Sequence, residues 1–527
     1  MLNQDYHSLN QLIPNFNSSS PRSLGWRLIS FLITLCLLWN CLSSTALASP
    51  SIQPYIDRVM AEVTEFELDN GMKFILLERH QAPVVSFVTY ADVGGADEPD
   101  GQTGVAHYLE HLAFKGTTKI GTSNYPAEEK LLKRIDRLYD RLKLAQKVGK
   151  EEDITRLKAE LAQIEAEASQ YVKQNEFGQI VEQAGGSGLN AATSSDYTMY
   201  FYNFPANKLE LWMSLESERF LDPVFREFNR EKQVILEERR LRTDNSPIGQ
   251  MIEAFLDQAY TIHPYKRPVI GYNEDIRNLT RDNVQDFFDT YYVPNNLTVA
   301  IVGDVNPEQV KRLAQTYFGR YPAKPEPPEV TIVEPPQQRT KEVTLQLASQ
   351  PWYFEGYHRP AITDSDTVVY DMITSILSDG RTSRLYKSLV EEKQVALNAL
   401  GFSGFPGDKY PNMVILYGLT APGKTVSDLA QAIQVEVERL QQEKVSPEEL
   451  ERVKTQARAN LLRTLQSNSG MARLLAQYQG KTGDWRKLFQ ELEAIESVTA
   501  EDVQRVAIAT FKPENRTIGK ILPKITN

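Results

Sequence analysis

Two histidines and a glutamate stand together in Gly104-Val105-Ala106-His107-Tyr108-Leu109-Glu110-His111-Leu112, in the order H-x-x-E-H. On a helix, residues four apart leave the same face, so His107 and His111 present their imidazoles side by side with Glu110 adjoining. Two neutral imidazoles can hold a zinc ion, and a carboxylate beside them can take a proton from a water that the metal acidifies. The order is the reverse of the commoner H-E-x-x-H. Val105, Leu109 and Leu112 supply an apolar side that docks the helix and leaves the polar side aimed outward. Of the remaining histidines, His7 and His80 have no partners nearby in sequence, and His263 and His358 are expected to be packing, loop or strand-end residues.

A zinc in a hydrolytic site takes three protein ligands and keeps one position for water. Both cysteines, Cys36 and Cys41, lie in an N-terminal segment that reads as an address. There Arg22 and Arg27 precede the apolar run Leu28–Trp39, and the small-residue site Ala46-Leu47-Ala48 follows, as in a secretory signal with a long first region. An uncleaved anchor is the alternative, but the apolar run is short for a span. Removing residues 1–48 leaves a mature chain without cysteine, with no disulfide and no thiolate ligand, so the chain is expected to be exported and any zinc to be held by histidine and carboxylate. The strongest carboxylate source is Asn229-Arg230-Glu231-Lys232-Gln233-Val234-Ile235-Leu236-Glu237-Glu238, where Glu231 and Glu238 are seven apart on nearly one helix face. Without the histidine motif they would read as a solvated, salt-bridged surface.

The elements that must position these residues are legible in outline. The chain has 527 residues and a formal net charge of −11, which gives no footprint for nucleic acid or anionic lipid. Its length suggests two or three domains. Val63–Leu68 and Met72–Leu77 flank Asp69-Asn70-Gly71, a hairpin signature, and a further strand over 84–90 leads through Gly94-Gly95 into the histidine helix. Helices over 208–220 and 229–243 follow, and Leu297–Val302 reads as a buried strand. Leu131, Leu132, Ile135, Leu138 and Leu142, then Ile154, Leu157, Leu161 and Ile164, predict a charged antiparallel helical hairpin from about 126 to 175, a structural or docking arm with no catalytic residues. The prolines of 323–340 read as a semi-rigid linker between a first half, 60–322, and a second half, 341–527.

The halves carry an internal repeat. Thr280-Arg281-Asp282-Asn283-Val284-Gln285 matches Thr499-Ala500-Glu501-Asp502-Val503-Gln504, and at the same offset Pro294 meets Pro513, Asn296 meets Asn515 and Thr298 meets Thr517. The second half keeps the form without the chemistry: its counterpart helix, Thr367 to Leu377, has no histidine, and Ala457 stands where Glu238 does.

His107-x-x-Glu110-His111 followed by Phe114-Lys115-Gly116-Thr117 resembles the pitrilysin/insulinase family of inverted zinc peptidases, most closely its mitochondrial-processing-peptidase-like bacterial branch. The resemblance runs through Gly185-Gly186, Asn190-Ala191, Thr193, Tyr197–Tyr200, Glu231 to Glu238 and His263-Pro264-Tyr265, and covers about residues 60 to 525. It implies an α+β fold of two homologous domains, each a sheet covered by helices, with two such pairs enclosing a chamber. It also implies one zinc per chain held by His107, His111 and Glu238, with Glu110 as general base and Glu231 as a supporting acid. Asn190 and Ala191 match the edge strand on which the family receives an extended peptide, so peptides and small unfolded proteins are the implied substrates.

Two departures stand out. The gap from His111 to Glu238 is longer than the family's by about the length of the hairpin. Active members carry an arginine and a tyrosine seven apart in the second half, where this chain has Val390 and Leu397. A related zinc-free chain that supplies this pair, forming a heterodimer, is therefore expected ahead of a homodimer. A catalytically silent structural subunit and an exported peptide-binding module are the readings from other classes.

Overall fold

The computed structural model describes residues 53–524; the expected signal segment over 1–48, with Cys36, Cys41 and His7, lies outside them. Among the described residues no helix is long and apolar enough to cross a membrane. Both sheets lie in one compact unit that begins at Val59.

The first sheet is built where alternating and continuous apolar runs were read. β1 (Val63–Glu67) and β2 (Lys73–Glu78) pair antiparallel across the Asp69-Asn70-Gly71 turn. Gly71 takes φ +90°, and a Cβ there would meet Asn295 at 2.8 Å, so only glycine fits the turn. β3 (Val84–Ala91), β4 (Ser187–Thr193), β5 (Thr198–Pro205) and β6 (Leu297–Gly303) complete a six-stranded sheet in the order β1-β2-β6-β3-β5-β4. β6 is buried along its whole length, as its near-continuous apolar run, broken only by Thr298, requires of a strand covered on both faces. β4 is the edge.

β7 (Lys341–Leu347), β8 (Trp352–Arg359), β9 (Ala396–Phe405), β10 (Asn412–Thr420) and β11 (Arg516–Pro523) form a second sheet in the order β7-β11-β8-β10-β9. With β1 set aside, the two orders superimpose strand for strand, down to the parallel pairs β2/β6 and β7/β11. The repeat seen in sequence has the same geometry in both copies. Thr280 and Thr499 each close a capping box at the start of a helix, Arg281–Tyr291 and Ala500–Thr510. Asn296 and Asn515 each donate from Nδ2 to the carbonyl closing that helix, Tyr291 and Thr510, at 2.9 Å in both halves. Ala457 packs against the second core, where no metal site requires a carboxylate.

The helical hairpin spans Tyr125–Val148 and Glu151–Ser169, with Gly149 in the left-handed conformation between them. Leu132, Ile135, Leu138 and Leu142 meet Ile154, Leu157, Leu161 and Ile164 in a core of their own. Each buried leucine or isoleucine of that stripe stabilises the arm by roughly 1.5–3 kcal/mol. At its base, buried Arg226 bonds Glu128 at 2.9 Å and donates to the carbonyls of Thr117 and Ile120. The proline-rich stretch over 323–340 has no regular structure, yet it is pinned: Glu334 accepts the backbone amides of Thr261, Ile262 and His263 at 2.6–3.0 Å.

Candidate metal centre

The histidine helix, Val105–Leu112, buries Val105, Ala106, Tyr108, Leu109 and Leu112 and turns His107, Glu110 and His111 outward. Its N-cap, Gly104, has no side chain to satisfy the first amides and sits at φ +88°, within 2.7 Å (from a would-be Cβ) of the Ile270 carbonyl. Glu98 takes over that task from a buried position, accepting Gly104 N at 2.9 Å and Ala106 N at 3.0 Å. Burial pushes the Glu98 carboxyl up to about 8. Nothing in the sequence around Glu98 distinguishes it from a solvated acid.

The carboxylate helix, Phe228–Arg239, lies alongside, with Phe228, Ile235 and Leu236 buried and Tyr108 donating to the Phe228 carbonyl. The seven-residue spacing brings both acids to the histidines, while Glu237 faces solvent and pairs with Arg240. Glu238 Oε1 lies 3.9 Å from His107 Nε2, and Glu238 Oε2 lies 3.6 Å from His111 Nε2. One ligand atom from each of the three residues falls within 4.8 Å of the others, and among the described residues this is the single group of its kind. The donors suit zinc: two imidazole nitrogens and a carboxylate oxygen, leaving one position for water. Burial pushes His107 down to about 3, so its ring is neutral and its lone pair free at ordinary pH.

Glu231 sits behind the ligands. Its Oε2 is 3.4 Å from His111 Nδ1 and its Oε1 is 2.5 Å from Lys115 Nζ, which also reaches Glu227 at 3.2 Å. A proton on Nδ1 shared with Glu231 leaves Nε2 as the lone-pair nitrogen facing Glu238. Burial acts to raise the Glu231 carboxyl, but hydrogen bonds from His111 and Lys115 outweigh it and hold the group below its usual range. Arg242 donates to Glu238 Oε1 at 2.7 Å from the solvent side.

Glu110 is aimed by a residue from the sheet: Thr193 Oγ1 donates to Glu110 Oε2 at 2.5 Å. Burial raises the Glu110 carboxyl, with the Thr193 bond opposing. Thr193 ends β4, the edge strand that also carries Asn190, exposed, and Ala191, buried. Asn190 Oδ1 accepts the Ala191 amide at 2.9 Å. A cavity of about 340 Å³ beside Asn190 is lined by Glu110, His111, Lys115 and Glu231. Lys173 to Glu176 form its far wall, so the exit of the hairpin reaches the site although the helices themselves carry no chemistry.

The other histidines stand apart. His80 pairs with Asp304 at the surface, His263 is buried among Tyr260, Tyr265 and Tyr410, and His358 Nε2 lies 3.2 Å from the Ala259 carbonyl. Val390 packs against the second core, and Leu397 on the edge strand β9 is half exposed, so neither position offers a polar donor.

The family description "Insulinase (Peptidase family M16)" matches residues 73–137 and 163–272, and "Peptidase M16 inactive domain" matches residues 278–457. Together they take in more than half of the chain, which belongs to the M16 peptidase family. The first match passes over 138–162, the distal part of the hairpin. A zinc protease, PqqE, of Helicobacter pylori is 29% identical over 92% of this chain and 98% of its own. A probable mitochondrial-processing peptidase subunit beta of Arabidopsis thaliana is 24% identical over 86% of this chain and 77% of its own. The crystal structure of a protease from Helicobacter pylori has a TM-score of 0.74 at 27% identity and covers 88% of this chain and 99% of that one.

Proposed function

We propose that the chain is an exported zinc endopeptidase that hydrolyses unfolded peptides and small proteins in a chamber between halves of the family's kind. The observation that carries this reading is the convergence of His107, His111 and Glu238 within 4.8 Å, next to Glu110, which Thr193 holds from a sheet edge. His107, His111 and Glu238 would hold the ion, which when bound acidifies a water and polarises the scissile carbonyl. Glu110, desolvated and oriented by Thr193, accepts the water's proton and returns it to the leaving amine. Asn190 and Ala191 lie on the free edge of β4, where an extended chain can add as a further strand through main-chain bonds. That mode reads backbone rather than side chains and admits only unfolded segments.

The clamp that would bind substrate and steady a developing oxyanion has no donors at Val390 and Leu397, an effect worth several kcal/mol where it operates. A related zinc-free chain supplies it in this reading, and the subunit designation of the Arabidopsis relative is in keeping with paired chains. The same two residues support the second reading, a subunit that binds peptide or stabilises a partner without cutting. Zinc content and cleavage of a quenched peptide decide between them, with Glu110→Gln as control and with a related chain added. Bound zinc with no Glu110-dependent cleavage under either condition would sink the peptidase reading.

A further inference from the structure

On the other side of the histidine pair from the polar cavity lies a second cavity, also of about 340 Å³, of opposite chemistry. His107 and Thr193 form one wall, so it opens beside both a metal-ligand candidate and the group that aims Glu110. Most of the remaining surface is apolar: Ile252 and Leu256 from the helix Pro247–Ala259, Val269 and Ile270 from the loop beyond it, and Phe405 and Pro406 from the end of β9, with Ser195, Thr243 and three charged side chains at its margins. The charges in its lining are already matched. Arg242 is on Glu238 at 2.7 Å, Glu253 is on Arg239 at 2.8 Å, and Arg267 is bound to Asp100 and to the Glu98 carbonyl.

The wall from the second half is held in place from the first. Asp196 accepts the backbone amides of Asp408 at 2.8 Å and Lys409 at 3.1 Å, together with the Tyr265 hydroxyl, and Ser195 Oγ donates to the Pro406 carbonyl at 3.3 Å. A Cβ on Gly407 would come within 2.4 Å of Asp196 Oδ2, so the loop approaches this closely only because glycine stands there. Phe405 and Pro406 are thereby set over the cavity as fixed surface.

We propose that this cavity is a specificity pocket that takes a bulky apolar side chain, such as Leu, Met or Phe, from the peptide, on the side of the scissile bond lying over Thr193. The proposal rests on the peptidase reading for its substrate class and adds a side-chain preference to a backbone-reading edge. A strand laid on β4 would pass from the polar cavity at Asn190 to the apolar one at Thr193, with Glu110 between them. A basic or acidic side chain in the second cavity would lose its hydration against Ile252, Val269 and Phe405 with no free counter-charge to meet it.

Binding and cutting are read separately. Full-length chain carrying Glu110→Gln, loaded with zinc, is titrated by fluorescence anisotropy with labelled peptides that differ at one central position. The same peptides, quenched, report cleavage by the zinc-loaded wild type. Peptides with Leu, Met or Phe are expected to bind at least about tenfold tighter than those with Asp or Lys. Phe405→Ala should remove most of that ratio and Phe405→Leu keep it, while Ile252→Asp should move the preference toward Lys by about tenfold. Equal or undetectable binding across the peptides, or a ratio unchanged in both Phe405→Ala and Ile252→Asp, overturns the pocket. Selective binding that follows these variants without any Glu110-dependent cleavage, with or without a related chain added, leaves the pocket standing and overturns the peptidase reading instead.

Discussion

Thr193 Oγ1 donates to Glu110 Oε2 at 2.5 Å, so the residue proposed as the general base is oriented from the strand proposed to receive the peptide. A strand added at β4 and a base aimed from β4 share one support. Thr193→Val should lower kcat by roughly 10–100-fold with little change in bound zinc, in line with the loss seen when an orienting partner is removed at a metal site. Thr193→Ser should restore most of it. Steady-state kinetics beside metal analysis checks this, and a valine variant with unchanged kcat would refute it.

Glu231 and Lys115 make a second orienting chain, running through His111 Nδ1. Glu231→Gln is expected to weaken zinc binding by roughly 10–100-fold while the fold survives. Competition with a chelator of known affinity measures it directly, without reference to activity.

Glu98 gives a pH signature of known sign. Its folded pKa, about 8, is raised by burial above the ordinary carboxylate range, so the folded state holds the proton more tightly than the unfolded one. Its contribution to stability is full at acid pH and is lost as pH rises through about 8. Asp97, pushed up to about 7 by burial, adds a slope of the same sign. Glu98→Gln should flatten the part of the decline that belongs to Glu98. Thermal unfolding from pH 5 to 9, compared between wild type and variant, should show the two curves together at acid pH, where Glu98 is neutral like glutamine, and the wild type losing stability relative to the variant as pH rises through about 8; parallel curves would exclude the assignment.

Arg226 and Glu128 form a buried pair at the base of the hairpin. Glu128→Ala strands the guanidinium without its counter-charge and should cost about 3–5 kcal/mol, read from denaturant midpoints. Arg226 keeps its carbonyl acceptors at Thr117 and Ile120, so Glu128→Gln should be milder.

The parts of this architecture that were legible in sequence are those written in local periodicity. The i, i+4 histidines, the seven-residue glutamate spacing, the two leucine stripes of the hairpin and the fixed offset between Thr280 and Thr499 each depend on one element at a time. What escaped depends on contacts between distant residues. Thr193 meets Glu110 from another element, and Glu98 looks like any surface acid until burial and two amides are seen around it. Glu334 turns an apparent spacer into a pinned segment, and Phe405 joins the site from the opposite half of the chain. Lys173 to Glu176 read as the tail of a structural arm, yet they form a wall of the polar cavity because the arm folds back on itself.

A side chain at the Gly149 turn would point into open space, with nothing within 4 Å of an added Cβ. It joins two helices that are zipped by their own core, at the end of the arm remote from the Arg226–Glu128 anchor. A fluorophore or a short affinity handle inserted between Gly149 and Lys150 would therefore ride on a rigid mast, giving a means to test for a docking partner without touching the proposed metal ligands, sheet edge or pocket.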